Sequence, residues 1–136
     1  PGMPAIEIVL PDNSGREIKL SSLKGKLVLV YFWSSWNALS RQTNINLTTL
    51  YTKYHSRGFE IYAVSVDSDA DLWQKACLID RAYWVNVIDA KGLASEFSKT
   101  YGVRELPDMI LIAKDGTIIA RQPEFNELEP LIKMNL

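Results

Sequence analysis

Two apolar runs constrain this chain more than any other feature: LVLVYFW at residues 27–33 and FEIYAVSV at 59–66. The first is rich in β-branched and aromatic residues and shows no polar alternation, the pattern of a strand covered on both faces and therefore central in a sheet. Between the runs, Leu39, Ile45, Leu47, Leu50, Tyr51 and Tyr54 recur near helical spacing over residues 38–57, and Gly58 stops the pattern. Two strands joined through a helix pair in parallel, so residues 27–66 specify a βαβ unit and an α/β protein.

The rest of the chain extends this unit. Short apolar stretches at 5–10 and 16–20 flank PDNSG, a cluster of turn formers, and read as a small hairpin or a pair of edge strands. A second helix is expected at about 69–81, a short strand at 84–88 and a third helix at about 92–101. MILIA (109–113) and TIIAR (117–121) flank an Asp-Gly turn suited to a tight antiparallel hairpin, and a last helix is expected at about 125–134. Neither repeat nor linker interrupts the 136 residues, which predicts one domain spanning 1–136, and 47% hydrophobic residues are enough for a substantial core.

Composition removes several function classes. Fifteen basic residues balance sixteen acidic ones with no basic run, which argues against a nucleic-acid partner. No apolar stretch approaches the roughly 20 residues of a membrane span, and no charged leader with an apolar segment opens the sequence. One cysteine, Cys77, permits no intramolecular disulfide, and with a single histidine, His55, it leaves too few ligands for a zinc site. No cofactor is expected. The acids of DSDAD (67–71) begin like a calcium loop, but Leu72 stands where glycine is needed and Leu78 where the closing glutamate belongs. They are expected to cap the second helix instead, through Asp69 or a neighbour.

LSSLKGKLVLVYFWSSW (20–36) resembles the entry to the active site in the TlpA/ResA group of thiol-disulfide oxidoreductases, within the wider AhpC/TSA-like set, and YGVRELPDMILIAKDGTII (101–119) resembles that group's segment around its cis-proline. The resemblance covers nearly the whole chain. It implies a thioredoxin-like α/β fold: a central mixed sheet flanked by helices, with an N-terminal β-hairpin and a βα-type insertion. It also implies that Pro107 is cis and borders a groove able to pair with an extended peptide, although only ~5% of X-Pro bonds are cis in general. By family habit the domain is periplasmic or anchored outside a membrane.

The family's chemistry does not carry over. Where its members have Trp-Cys-x-x-Cys this chain reads WNALS, so Asn37 stands for the first cysteine and Ser40 for the second, and the acidic residue common three positions later is Thr43. In such proteins the first sulfur sits at a helix N-terminus, where unpaired N–H groups and the dipole depress its pKa. An amide has no such ionisation, but Asn is among the best N-caps and Ser is tolerated in a first turn. These residues predict a binding module for a peptide, protein or small ligand at Trp36, Asn37, Ser40 and Pro107, more than an enzyme. The alternative is an oxidoreductase that uses Cys77 or a partner's thiols, although Cys77 lies late in the second helix beside Trp73 and Leu78, where a packing thiol is expected. Serine catalysis is excluded: His55 lies fifteen residues beyond Ser40 on the same helix, roughly 22 Å away at ~1.5 Å per residue. His55 is expected to interact favourably with the helix C-terminal dipole.

Overall fold

The computed structural model describes residues 2–136. The LVLVYFW run is β3 in chain order (Leu27–Trp33), after a separate antiparallel hairpin of β1 (Val9–Pro11) and β2 (Glu17–Lys19). Helix α1 (Ala38–Tyr54) leads to β4 (Phe59–Ser65), which pairs in parallel with β3, Leu27 opposite Phe59 and Trp33 opposite Ser65. Helix α2 (Ala70–Ile79) and β5 (Val85–Ile88) follow and add a parallel edge strand beside β4. A short α3 (Glu96–Thr100) returns the chain to β6 (Asp108–Ile112) and β7 (Ile118–Arg121), both antiparallel, and α4 (Phe125–Asn135) ends the fold. The sheet order is β5-β4-β3-β6-β7, with β3 in the middle.

The absence of polar alternation in β3 has a direct cause. Leu27, Leu29, Tyr31 and Trp33 point to one face, where they join Leu47, Leu50 and Tyr54 of α1, Trp73 of α2, and Leu128 and Ile132 of α4. Val28, Val30 and Phe32 point to the other, against Ile8 and Leu10 of the hairpin segment, Leu20 and Tyr101. Successive strand residues face opposite sides, so a strand with two cores must be apolar throughout.

Two expectations need correction. Leu39 and Ile45 do not belong to the buried stripe of α1; both are exposed, and Ser40, Thr43 and Asn44 are buried in their place. The phase set by Leu47 explains this, because positions three, four and seven residues earlier share its face while Ile45 lies on the opposite side. The helix expected at 92–101 is instead a 3₁₀ turn at Gly92–Ala94 followed by α3. Gly92 has φ +65° and Ser95 starts a new helix, its hydroxyl oxygen accepting the Ser98 N–H at 3.1 Å. Among the described residues no helix is long and apolar enough to cross a membrane.

Candidate functional site

The loop Ser34–Asn37 leaves the end of β3 and turns into α1. Asn37 has extended backbone and its Oδ1 accepts the Ser40 N–H at 2.7 Å, closing one of the donors that a helix start leaves unpaired. Ser40 is 0% exposed, its Oγ 3.4 Å from the Ser34 N–H. It therefore belongs beneath the surface and not to an accessible groove, a correction to its place among the surface site residues. Trp36 is 67% exposed, and Leu39 in the first turn of α1 is exposed as well.

Pro107 precedes β6, and the Leu106–Pro107 bond is cis. Asp108, the next residue, is paired with Phe32 in the antiparallel register of β6 and β3. Pro107 is thereby placed at the end of β3 from which the Ser34–Asn37 loop departs. Asp108 is buried, with Oδ1 accepting the Met109 N–H at 2.9 Å and Oδ2 the Gln122 amide at 3.3 Å. Burial raises its carboxyl above the ordinary value, against the opposing effect of these hydrogen bonds.

Beneath the loop lies a polar layer. Asp67 is buried and accepts the Ser35 N–H at 3.1 Å, the Ser35 hydroxyl at 2.7 Å and the Ser65 hydroxyl at 2.5 Å. Asp80, just after α2, takes a forked ion pair from Arg41, Nε at 2.6 Å and Nη2 at 2.9 Å, and the Asn44 amide at 2.9 Å. The same guanidinium reaches the Ser35 carbonyl through Nη1 at 3.3 Å. The Tyr31 hydroxyl lies between two acceptors, the Ser40 carbonyl at 2.9 Å and Asn44 Oδ1 at 2.8 Å. Burial, and secondarily the Asp80 charge, pushes the Tyr31 phenol far above its ordinary value, so it serves as a neutral donor. The hydrogen bond to Asp80 raises Arg41 further. The loop is thus tied to β4 through Asp67 and to the end of α2 through Arg41 and Asp80.

Other candidates fall elsewhere. Asp69 caps α2, its Oδ1 accepting the N–H groups of Asp71 and Leu72. His55 ends α1, with its ring stacked on Tyr51 at 4.4 Å between centroids and its Nδ1 3.9 Å from Glu60 Oε2. Cys77 is partly buried, and its thiol is pushed up to about 12 by burial first and then by the charges of Asp80 and Asp67.

Residues 1–121 match the AhpC/TSA family. The chain belongs to that family. Within it, the chain is 35% identical over 118 residues to thiol-disulfide oxidoreductase ResA of Bacillus thuringiensis subsp. konkukian (strain 97-27), a match covering 87% of this chain and 66% of that protein. It is 32% identical over 116 residues to tryparedoxin of Trypanosoma brucei brucei, covering 83% and 79% respectively. The chain spans about two thirds (66%) of the length of the ResA protein it matches. A solved thiol-disulfide oxidoreductase from Bacteroides fragilis NCTC 9343 superposes with a TM-score of 0.90 at 30% identity, covering 98% of this chain and 99% of that one. The thioredoxin domain of a Bacteroides vulgatus thiol-disulfide oxidoreductase gives 0.90, also at 30% identity, covering 99% and 97%. The fold is thioredoxin-like, and the chain is a ResA-like member of the AhpC/TSA family.

Within this AhpC/TSA domain, reasoning from sequence missed Tyr31, Arg41, Asn44, Asp67 and Asp80. One signal was available: Arg41 is a cation near the start of a helix, where the dipole disfavours it, so a partner carboxylate was to be expected. Nothing local in the sequence distinguishes Asp67, which is turned inward, from Asp69 and Asp71, which serve α2.

Proposed function

We propose that this domain is a binding module of the thiol-disulfide oxidoreductase family, redox-inactive at residues 37–40, that engages an extended peptide, a protein segment or a small ligand at the surface of Trp36, Asn37 and Pro107, with Ser40 supporting that surface from below. The observation that carries the reading is the Asn37 cap. The helix end at which a family member presents sulfur is here closed by an amide oxygen 2.7 Å from the Ser40 N–H, while Trp36 remains exposed above it. A preorganised surface of this kind lowers the ordering cost of binding, and the ties from Asp67 and Arg41 to Ser35 supply that rigidity. By family habit the domain acts outside the cytoplasm, in the periplasm or tethered to a membrane, as a single unit over residues 1–136.

The rival reading, an oxidoreductase that uses Cys77, has less support. A thiol raised to about 12 is almost wholly protonated at neutral pH, and the thiolate is the nucleophile. An insulin-reduction assay on the whole chain separates the two. The binding reading predicts background rates for the parent and for Cys77→Ser alike. Turnover above background that disappears in Cys77→Ser establishes the rival.

A further inference from the structure

Helix α1 packs one face on the sheet and turns the other to solvent, and that outer face carries no charge. From Gln42 to Thr52 the helix holds no Asp, Glu, Lys or Arg. The chain as a whole is 23% charged, so its composition does not supply such a stretch by default. The other α-helices of the described residues all carry charges: Asp71 and Lys75 on α2, Glu96 and Lys99 on α3, Glu127, Glu129 and Lys133 on α4. Two cations bound the uncharged stretch, and each is neutralised within the chain, Arg41 by Asp80 at 2.6 Å and Lys53 by Glu129 at 3.0 Å.

Ala38, Gln42, Ile45, Thr49 and Thr52 are all exposed and recur at spacings of four, three, four and three residues. That spacing makes one stripe along the helix, the seam along which two helices pack. Ile45, near its middle, is 53% exposed. Branching at Cβ restricts χ1 and makes Ile and Thr weaker helix formers than the straight-chain residues usual on a solvated face. Burial within the chain does not offset that disadvantage at Ile45, Thr49 or Thr52.

The charge pattern selects the occupant. A face without charge offers nothing to attract a polyanion, an anionic membrane or a charged peptide, and stripping water from the charges of such a partner is costly. Depletion of charge is what marks the centre of a protein interface. The complement of this face is one equally free of charge, and among the helices of the described residues α1 alone has it.

We propose that the outer face of α1 joins a second copy of this chain, the two helices antiparallel about a two-fold axis at Leu47. Ile45 of each copy then meets Thr49 of the other, and Gln42 meets Thr52, a self-complementary contact of the kind a two-fold requires. The two Asn37 caps lie at opposite ends of the pair. This pairing does not depend on the binding reading above.

The test is sedimentation velocity on the whole chain under reducing conditions across about 5–500 µM, the range in which a small interface dissociates. A concentration-dependent monomer–dimer equilibrium is expected. Ile45→Lys, with an unchanged circular dichroism spectrum, is expected to weaken it roughly tenfold, and Leu78→Lys, on exposed surface of α2, to leave it unchanged. Orientation is read from disulfide cross-linking in a Cys77→Ser background. An equimolar mixture of Ile45→Cys and Thr49→Cys chains is expected to form the mixed dimer. Ala38→Cys chains are expected to form none, because the antiparallel register holds their thiols roughly 27 Å apart at ~1.5 Å per residue. A monomer at every concentration overturns the proposal, as does a dimer that Ile45→Lys leaves intact or that Ala38→Cys cross-links.

Discussion

From Leu47 onward α1 packs Leu47, Leu50 and Tyr54 against the sheet, whereas its first two turns bury Ser40, Thr43 and Asn44. Both halves lie on the same side of the sheet, yet they are stabilised differently. The apolar half is held by non-directional burial, worth roughly 25 cal/mol per Å². The polar half is held by a network with fixed geometry: Asp80 with Arg41 and Asn44, Tyr31 with Ser40 and Asn44, and Asp67 with Ser35. Buried polar networks are costly when broken and position their members closely when complete. The candidate surface stands on the second kind of support.

The largest expected effect tests the apolar half. Leu47→Ala should destabilise the chain by about 4 kcal/mol, as a fully buried leucine truncated in a packed core does, measured by chemical denaturation. The spectrum of residues 34–37 should remain unchanged in that variant, because the loop is held from elsewhere. Next is Asp80→Ala, which leaves the Arg41 guanidinium and the Asn44 amide without their common acceptor. A loss of about 3 kcal/mol is expected, and here amide exchange at Ser35 and Trp36 should accelerate along with the loss of stability. If the two variants disturb the loop equally, the two halves are not separately supported. Asn37→Ala removes the cap alone and should cost about 1 kcal/mol, with Asn37→Asp retaining most of the stability because a carboxylate also accepts the Ser40 N–H and suits the dipole.

Beside Pro107, the buried Asp108 of β6 should also make stability depend on pH in a way the apolar half of α1 cannot. The Asp108 carboxyl is raised above its ordinary 3.8 by burial, so the folded chain binds that proton more tightly than the unfolded one. Its contribution to stability is fully present below the unfolded value and is lost as pH rises through the folded value. Asp108→Asn removes this dependence. The difference in Tm, variant minus parent, should therefore grow as pH rises from about 3.8.

The two halves of α1 also differ in how far the sequence disclosed them. Strand β3, the crossover to β4 and the terminal hairpin were legible because burial on both faces leaves an uninterrupted apolar run and because Asp115-Gly116 marks the turn. The Asn37 cap was legible because its cause is local, a side chain and an N–H three residues apart. The inward phase of Ser40, Thr43 and Asn44 was not. Polar side chains carry no mark of burial in a hydropathy pattern, and the side-chain partners of Asn44, Asp80 and Tyr31, lie 36 and 13 residues away from it. The same holds for Ser35 and Asp67, 32 residues apart.

On the proposed reading, the tip of α1 keeps the helix start at which the family presents sulfur and lacks both the cysteines, at Asn37 and Ser40, and the acidic residue, at Thr43. The most direct measurement is thiol-disulfide exchange by Asn37→Cys/Ser40→Cys in a Cys77→Ser background. Insulin reduction well above that of the parent is predicted, with the introduced thiol at residue 37 titrating below the ordinary ~8.5 because it sits at a helix N-terminus near Arg41. A folded double variant that stays at background, or whose thiol at residue 37 titrates at or above the ordinary value, would contradict the claim.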